Sequence, residues 1–296
     1  MHSMNPITSE PKTHSRMSRE KSCSGLCTLL CWWLIGITLS CDSTGTDPSI
    51  LPMRDFSFPI SGELEYAAES SIQISNDHGG IMITGVILDQ RDSGGGIPYY
   101  LDRIILATQR NLAEIAKDSM FVLSLPDLTF INNRFISVVA PLSSEFFQYS
   151  GLLSLEIPSD VECCISEPAA GVLVSEMEGL VTVTTTNFDI QLERHHGNCA
   201  LETQGGGVFA EFYLLPSRTC VINTVSGDIH ITLPDTSSVS INASTIDGGI
   251  TVSNYNLTYS QISSQEIIGV YGTASSFINV NTTSGNIQIT GLPVGN

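Results

Sequence analysis

The residues best suited to chemistry are histidines, and their spacing does not favour catalysis or metal binding. His195 and His196 closely follow Glu193, and His230 lies at an outward position of a predicted strand. Imidazole and carboxylate groups are common zinc ligands. No H-x-x-H or C-x-x-C spacing accompanies these residues, so we interpret the histidines as loop or surface residues. The sequence predicts no metal site and no cofactor.

Two carboxylates form the second candidate for chemistry. Asp189 and Asp228 occupy the same outward position of a repeated unit, where other copies have Gly207, Gly249 and Asn286. Polysaccharide lyases and hydrolases with a β-helix fold place carboxylates and a basic residue on one face of the stack. From residue 180 onward the repeats contain two arginines and no lysine. We therefore predict no catalytic residues and keep a polysaccharide-active enzyme only as an alternative.

The elements that carry these residues repeat along the chain. Thr219 to Leu233 reads TCVINTVSGDIHITL, in which alternating apolar residues flank a Ser-Gly turn. This pattern predicts a strand, a tight turn and a second strand. Similar units recur at intervals of 18 and 21 residues, and one later interval is 37 residues. Self-similarity with a period near twenty residues is typical of a solenoid.

Aligned copies of the unit give columns of equivalent positions. The first inward column contains Ile72, Cys163, Val181, Cys199, Cys220, Ile241 and Ile278. A further inward column contains the threonines Thr185, Thr203, Thr224, Thr245 and Thr282. The turn column contains the glycines Gly79, Gly206, Gly227, Gly248 and Gly285, and we expect them to supply backbone angles that other residues resist.

These columns predict an all-β protein, a β-solenoid resembling a single-stranded β-helix. Its coils have about 18–21 residues with two short strands each, and one short helix is expected near residues 111–117. Neighbouring coils should pair about 4.8 Å apart. The interval between Ile241 and Ile278 leaves room for an extra coil or an excursion.

Cysteines at equivalent positions suggest a cross-link between coils. Cys199 and Cys220 lie one coil apart in the same column, so their Cα atoms should lie about 4.8 Å apart, within the range of about 4.4–6.8 Å for a disulfide. We predict a disulfide there, with two reduced thiols as the alternative. Cys164 should point outward, away from Cys163 in the core column.

The N-terminal segment is predicted to direct export. Its basic stretch precedes an apolar block, Gly25 to Leu39, of a length typical of signal peptides. Thr38-Leu39-Ser40-Cys41 resembles the lipobox of bacterial lipoproteins, which implies lipidation of Cys41. We assign residues 1–40 to the signal peptide, 41–63 to a lipid-attached flexible tether, 64–292 to one domain and 293–296 to a C-terminal tail. Simple secretion and an uncleaved anchor are the alternatives.

Several motifs resemble those of the bacterial putative-adhesin family of β-solenoids and its head-GIN relatives, whose function is largely unknown. They are an opening G-x-I-x-I-x-G hairpin at residues 79–85, an L-x-L-x-I-P strand at residues 152–158, a T-x-S-G-D-I turn at residues 224–229 and its variant T-x-S-G-N-I at residues 282–287. The resemblance spans residues 64–292. It implies a non-enzymatic cell-envelope protein with an adhesion, interaction or structural role.

Charge and exposed edges limit the partners. The net charge of −18 makes nucleic acid an unsuitable partner. We expect the membrane to be contacted through the N-terminal lipid, with an envelope protein, a peptide or a glycan as further partner. The alternative is a self-assembling scaffold, a homo-oligomer formed by edge pairing through the terminal coil near residues 287–290. All of these place the domain in the bacterial cell envelope, outside the cytoplasm, at either membrane.

Overall fold

Alternating apolar and polar residues place most of the domain in strands. The computed structural model describes residues 52–66, 70–87, 96–127, 133–144, 147–166, 168–254 and 256–292. Residues 49–296 form one compact unit. The predicted signal peptide, Cys41 and the tail at residues 293–296 lie outside the described residues. Within the described ranges, no helix has the length and apolar character needed to span a membrane.

Twenty-one strands and one α-helix form within these ranges. In chain order they are β1 (Arg54–Leu64), β2 (Ser71–Ser75), β3 (Ile81–Val86), β4 (Ile97–Ala107), α1 (Arg110–Ala116), β5 (Phe121–Pro126), β6 (Asn133–Val139), β7 (Gln148–Pro158), β8 (Glu162–Ser166), β9 (Val172–Ser175), β10 (Val181–Thr185), β11 (Ile190–His195), β12 (Cys199–Thr203), β13 (Val208–Phe212), β14 (Thr219–Thr224), β15 (Ile229–Pro234), β16 (Val239–Thr245), β17 (Ile250–Ser253), β18 (Thr258–Ile262), β19 (Glu266–Tyr271), β20 (Ser276–Thr282) and β21 (Ile287–Leu292). A short 3-10 helix, Lys117–Ser119, follows α1. The helix predicted near residues 111–117 is thus confirmed.

The strands form two sheets, and each coil contributes one strand to each sheet. The ten-stranded sheet has the order β1-β4-β7-β3-β9-β11-β13-β15-β21-β17. The eleven-stranded sheet has the order β18-β19-β16-β20-β14-β12-β10-β8-β2-β6-β5. Strands of successive coils pair in parallel, as β10, β12 and β14 do. The predicted β-solenoid is therefore confirmed.

The inward columns form the core in the predicted register. Val181 pairs with Cys199, and Cys199 pairs with Cys220. In the other sheet Ile190, Val208 and Ile229 occupy equivalent positions. All of these side chains are buried in one continuous cluster. A single coil could not bury its apolar side, so the stack stabilises all of its coils together.

The order of the last coils differs from the order in the sequence. Cys220 pairs with Ile278, which in turn pairs with Ile241, so β20 lies between β14 and β16. In the other sheet β21 lies between β15 and β17. The prediction of an exposed edge at residues 287–290 is therefore wrong. The β18–β19 hairpin is the excursion in the long interval, and it pairs with the outer side of β16.

Antiparallel strands extend the stack at its N-terminal end. β4 pairs antiparallel with both β7 and β1. β1 begins at Arg54, so the flexible tether predicted to reach residue 63 is wrong over its last ten residues. Arg103 is buried there, and its guanidinium donates hydrogen bonds to the carbonyls of Phe58 and Lys117, each 2.8 Å long. This arginine thereby joins β1 to the end of the helical segment.

Candidate interaction surface

The threonine column fixes the turns that support both sheet surfaces. The Thr224 hydroxyl accepts a hydrogen bond of 3.0 Å from the Gly227 amide and donates one of 3.3 Å to the Gly206 carbonyl of the neighbouring coil. The same pair of bonds occurs at Thr203, Thr245 and Thr282. Each threonine therefore closes its own turn and links it to the next coil.

Thr185 is the exception, and it provides a matched control. Its hydroxyl is buried and has no hydrogen-bond partner among the described residues. We expect Thr224→Val to lower the free energy of unfolding by about 2 kcal/mol, because a buried amide and a buried carbonyl both lose a partner. Thr185→Val should be neutral or slightly stabilising, since it removes an unpaired hydroxyl. Urea unfolding of both variants measures the difference, and equal losses would contradict this role for the column.

The outward acidic column is also used for stacking. The Asp189 carboxylate accepts a hydrogen bond of 2.7 Å from the Gly207 amide, one coil away. The Asp228 carboxylate accepts one of 2.7 Å from the Asn286 amide. The Asn286 side chain accepts one of 3.1 Å from the Gly249 amide, which continues the series. The acid or amide of the T-x-S-G-D-I turn thus joins coils, and this explains why the column contains carboxylates without a basic partner.

An apolar strip lies on the outward side of the ten-stranded sheet. We define the outer strip by Met82, Leu152, Leu173, Phe209 and His230. Met82 and Leu173 occupy paired positions on β3 and β9, and Phe209 and His230 occupy paired positions on β13 and β15. The rings of Phe209 and His230 stack with centroids 5.0 Å apart. Phe209 is 43% exposed and Leu152 is 38% exposed, so the strip presents large apolar side chains to solvent.

Met82, Leu152, Leu173 and Phe209 of the outer strip face a common space on the sheet surface. Between these side chains lies a shallow depression of about 210 Å³, lined also by Gly171. The depression is large enough for one apolar side chain of a partner.

Negative charge surrounds the outer strip. Asp189 lines the depression, and Glu193 lies on the same strand as Gln191, which contacts it. The strands β3, β7, β9, β11, β13 and β15 contain one arginine and no lysine. That arginine, Arg194, is paired with Glu176 at 2.5 Å. An apolar surface bordered by the carboxylates of Asp189 and Glu193 suits a partner with apolar and basic side chains.

The histidines considered as metal ligands do not form a metal site in the described part of the chain. His195 is fully buried at the end of β11, where Nε2 donates a hydrogen bond of 3.0 Å to the Asn198 carbonyl. The interpretation of His195 as a loop or surface residue is therefore wrong. Burial lowers the pKa of His195 to about 4. Nowhere in the described part of the chain do three His, Cys, Asp or Glu side chains group so that they could hold a metal ion.

The predicted cysteine pair lies in register, with both thiols free. Side chains at paired positions of parallel strands lie about as far apart as the strands, about 4.8 Å, whereas a disulfide needs Cβ atoms about 3.5–4.5 Å apart. The Cys199–Cys220 bond therefore stays a prediction that requires a local shift. Burial raises the pKa of Cys163 to about 12 and also raises that of Cys199, so both are protonated at neutral pH. Cys164, expected to point outward, is buried as well.

The sequence patterns did not predict that the residues of the outer strip lie side by side. Phe209 and His230 belong to a regular outward column, but Met82, Leu152 and Leu173 come from the divergent N-terminal copies. Exposed apolar residues at outward strand positions were the available signal. Only the pairing of β3 with both β7 and β9 shows that these residues lie side by side.

Comparison with known proteins agrees with this architecture. Residues 173–290 match the model of the Toastrack DUF4097 family, which agrees with the resemblance inferred from the turn motifs. No curated protein matches the chain.

Two solved structures from bacteria align with most of this chain. A putative cell adhesion protein from Clostridium sporogenes is 10% identical, covers 80% of this chain and 100% of its own, and has a TM-score of 0.46. A putative adhesin from Bacteroides fragilis is 10% identical, covers 80% of this chain and 97% of its own, and has a TM-score of 0.27.

Proposed function

We propose that this protein is a non-enzymatic interaction module of the bacterial cell envelope that binds a partner through the outer strip. The observation that carries the proposal is the exposure of apolar side chains, including Phe209 and Leu152, on the inner strands of the ten-stranded sheet. The two acidic positions suited to catalysis, Asp189 and Asp228, accept hydrogen bonds from backbone amides of the next coil. Their structural use favours binding over catalysis.

The chemistry of the surface favours an extended segment of another envelope protein with apolar and basic side chains. An apolar side chain of the segment would enter the depression beside Leu173 and Phe209. Lysine or arginine residues next to it would lie near Asp189 and Glu193. Burial of one large apolar side chain contributes about 1.5–3 kcal/mol, and exposed charge pairs add specificity and faster association.

Anchoring completes the proposal. Lipid attached to Cys41 would hold the protein at a membrane, and the residues up to position 53 would form the tether. The first described strand begins at Arg54, so a tether from Cys41 would end at residue 53. A short tether would keep the outer strip close to the membrane surface and raise its effective concentration near envelope partners.

We expect Phe209→Ser to weaken partner binding at least tenfold, because it removes the largest exposed apolar side chain of the strip. Phe277→Ser is the matched control, since Phe277 is 39% exposed and lies on the outward side of the eleven-stranded sheet. The full chain is immobilised and titrated with synthetic peptides that alternate Leu or Phe with Lys or Arg. The proposal is supported if peptide binding weakens as the salt concentration rises, weakens in Phe209→Ser, and is unchanged in Phe277→Ser.

Two results would contradict it. Peptide binding that is equal in wild type and Phe209→Ser would show that the outer strip is not the site. Saturable binding of glycans on an array, together with no peptide binding, would replace a protein partner with a carbohydrate. Circular dichroism of both serine variants establishes that each is folded.

A further inference from the structure

The two sheets end in four edge strands. These strands differ in how well they are protected from pairing with another chain. The ten-stranded sheet ends at β1 and β17, and the eleven-stranded sheet ends at β5 and β18. An edge strand presents backbone donors and acceptors that can pair with another chain. Proteins limit such pairing with charged residues, proline, bulges or covering segments.

The edges of the ten-stranded sheet are protected in these ways. β1 contains Pro59 near its middle and the charged residues Arg54, Asp55 and Glu63. Proline removes a backbone donor, and the charges oppose close contact with a second acidic chain. β17 has only four residues, and the Ile250 amide at its start donates a hydrogen bond of 3.0 Å to the Ser264 carbonyl.

The edges of the eleven-stranded sheet are uncharged, and each exposes a large apolar side chain. β5 reads FVLSLP and β18 reads TYSQI. Leu125 on β5 is 49% exposed, and Ile262 on β18 is 65% exposed. No other strand of the described chain pairs with the outer side of either one. In a chain with a net charge of −18, repulsion between copies is weakest where neither strand contains a charge.

We propose that copies of this chain assemble head to tail, with β18 of one copy pairing with β5 of the next and extending the eleven-stranded sheet. The two edges lie at opposite ends of the same sheet, so the contact joins different surfaces and can repeat without closing. The bulge between Tyr259 and Gln261 and the proline at the end of β5 restrict the pairing to a few residues. The contact is therefore small, and assembly depends on concentration.

The proposal is tested with two charged variants of the full chain, purified in mild detergent. Ile262→Asp places a charge on β18, and Leu125→Lys places one on β5. We expect the weight-average mass of wild type to rise more than twofold with concentration in analytical ultracentrifugation. Each variant alone should need at least tenfold higher concentration for the same rise, because every contact between identical copies then contains the substitution.

Mixing the two variants gives the decisive result. An Ile262→Asp copy has an intact β5, and a Leu125→Lys copy has an intact β18, so the mixture should regain larger species. Val225→Asp is the control, since Val225 is 52% exposed on a turn away from both edges, and it should assemble as wild type does. Assembly that is unchanged in either single variant, a mixture that stays monomeric, or a monomeric wild type would overturn the proposal.

Discussion

Gly227→Ala is expected to lower the free energy of unfolding by about 3 kcal/mol, the largest effect of a single methyl group in this protein. A Cβ atom at Gly227 would overlap the carbonyl group of Gly206 in the neighbouring coil. Backbone atoms cannot move aside as a flexible side chain can. The two coils would have to separate locally, which would also lengthen the hydrogen bond from Thr224 to that carbonyl.

Gly249→Ala provides the control for this prediction. Gly249 also lies in a turn of the stack, but the nearest heavy atom to an added Cβ is Asn286 Oδ1 at 3.8 Å, an ordinary contact. We expect a change within about 0.5 kcal/mol. Urea unfolding monitored by circular dichroism measures both variants. A Gly227→Ala variant as stable as Gly249→Ala would show that the coils are not held at this close spacing.

The glycine column illustrates what a sequence pattern can and cannot provide. The positions were predicted correctly, but the reason was wrong. Gly272 is the described glycine with positive φ, and it lies outside the column. The turn glycines are required because the carbonyl of the next coil lies against their Cα atoms. A repeated residue type indicates a constraint, whereas its physical cause depends on the distance to a neighbouring coil.

The register of the strands could be predicted, but the order of the coils could not. Alternation of apolar residues fixes which side chains point inward, and one shared column aligns Cys220 with both Ile241 and Ile278. Each alignment satisfies the pattern equally well. In the structure the β18–β19 hairpin occupies the outer side of β16, and β20 of the last coil lies between β14 and β16. The stacking order of the coils depends on contacts between distant parts of the chain, so it is not encoded in the repeat pattern of the sequence.

The candidate surface was difficult to predict for a related reason. Leu152 and Phe209 belong to segments with different local patterns, and the sheet brings them to one side through β3, β9 and β11. Within each segment, an isolated outward apolar residue is common and uninformative. The surrounding acids were visible in the composition, but their use as hydrogen-bond acceptors between coils depends on the stacking geometry.

Lowering the pH is expected to destabilise the protein through His195. Burial lowers its pKa from 6.5 to about 4, and the hydrogen bond to the Asn198 carbonyl offsets only part of this shift. The unfolded chain therefore binds a proton more readily than the folded one. The contribution of neutral His195 is complete above pH 6.5 and is lost as the pH falls towards 4. The loss is about 2 kcal/mol by about pH 5 and about 3 kcal/mol at lower pH.

His195→Gln isolates this effect from the titration of the many carboxylates. Glutamine retains an N–H donor for the Asn198 carbonyl but does not titrate. We expect the variant to be less stable than wild type at about pH 7.5, because it packs less well against Phe212, whose ring centroid lies 6.3 Å from that of His195. Its stability should fall by about 2 kcal/mol less than that of wild type between about pH 7.5 and about pH 5.

His230 supplies the control, since His230→Gln makes the same substitution on the outward side of the ten-stranded sheet, outside the core. Urea unfolding of all three proteins at both pH values should give parallel changes for wild type and His230→Gln and a smaller change for His195→Gln. Equal pH dependence in all three would mean that His195 reaches solvent without unfolding of the coil.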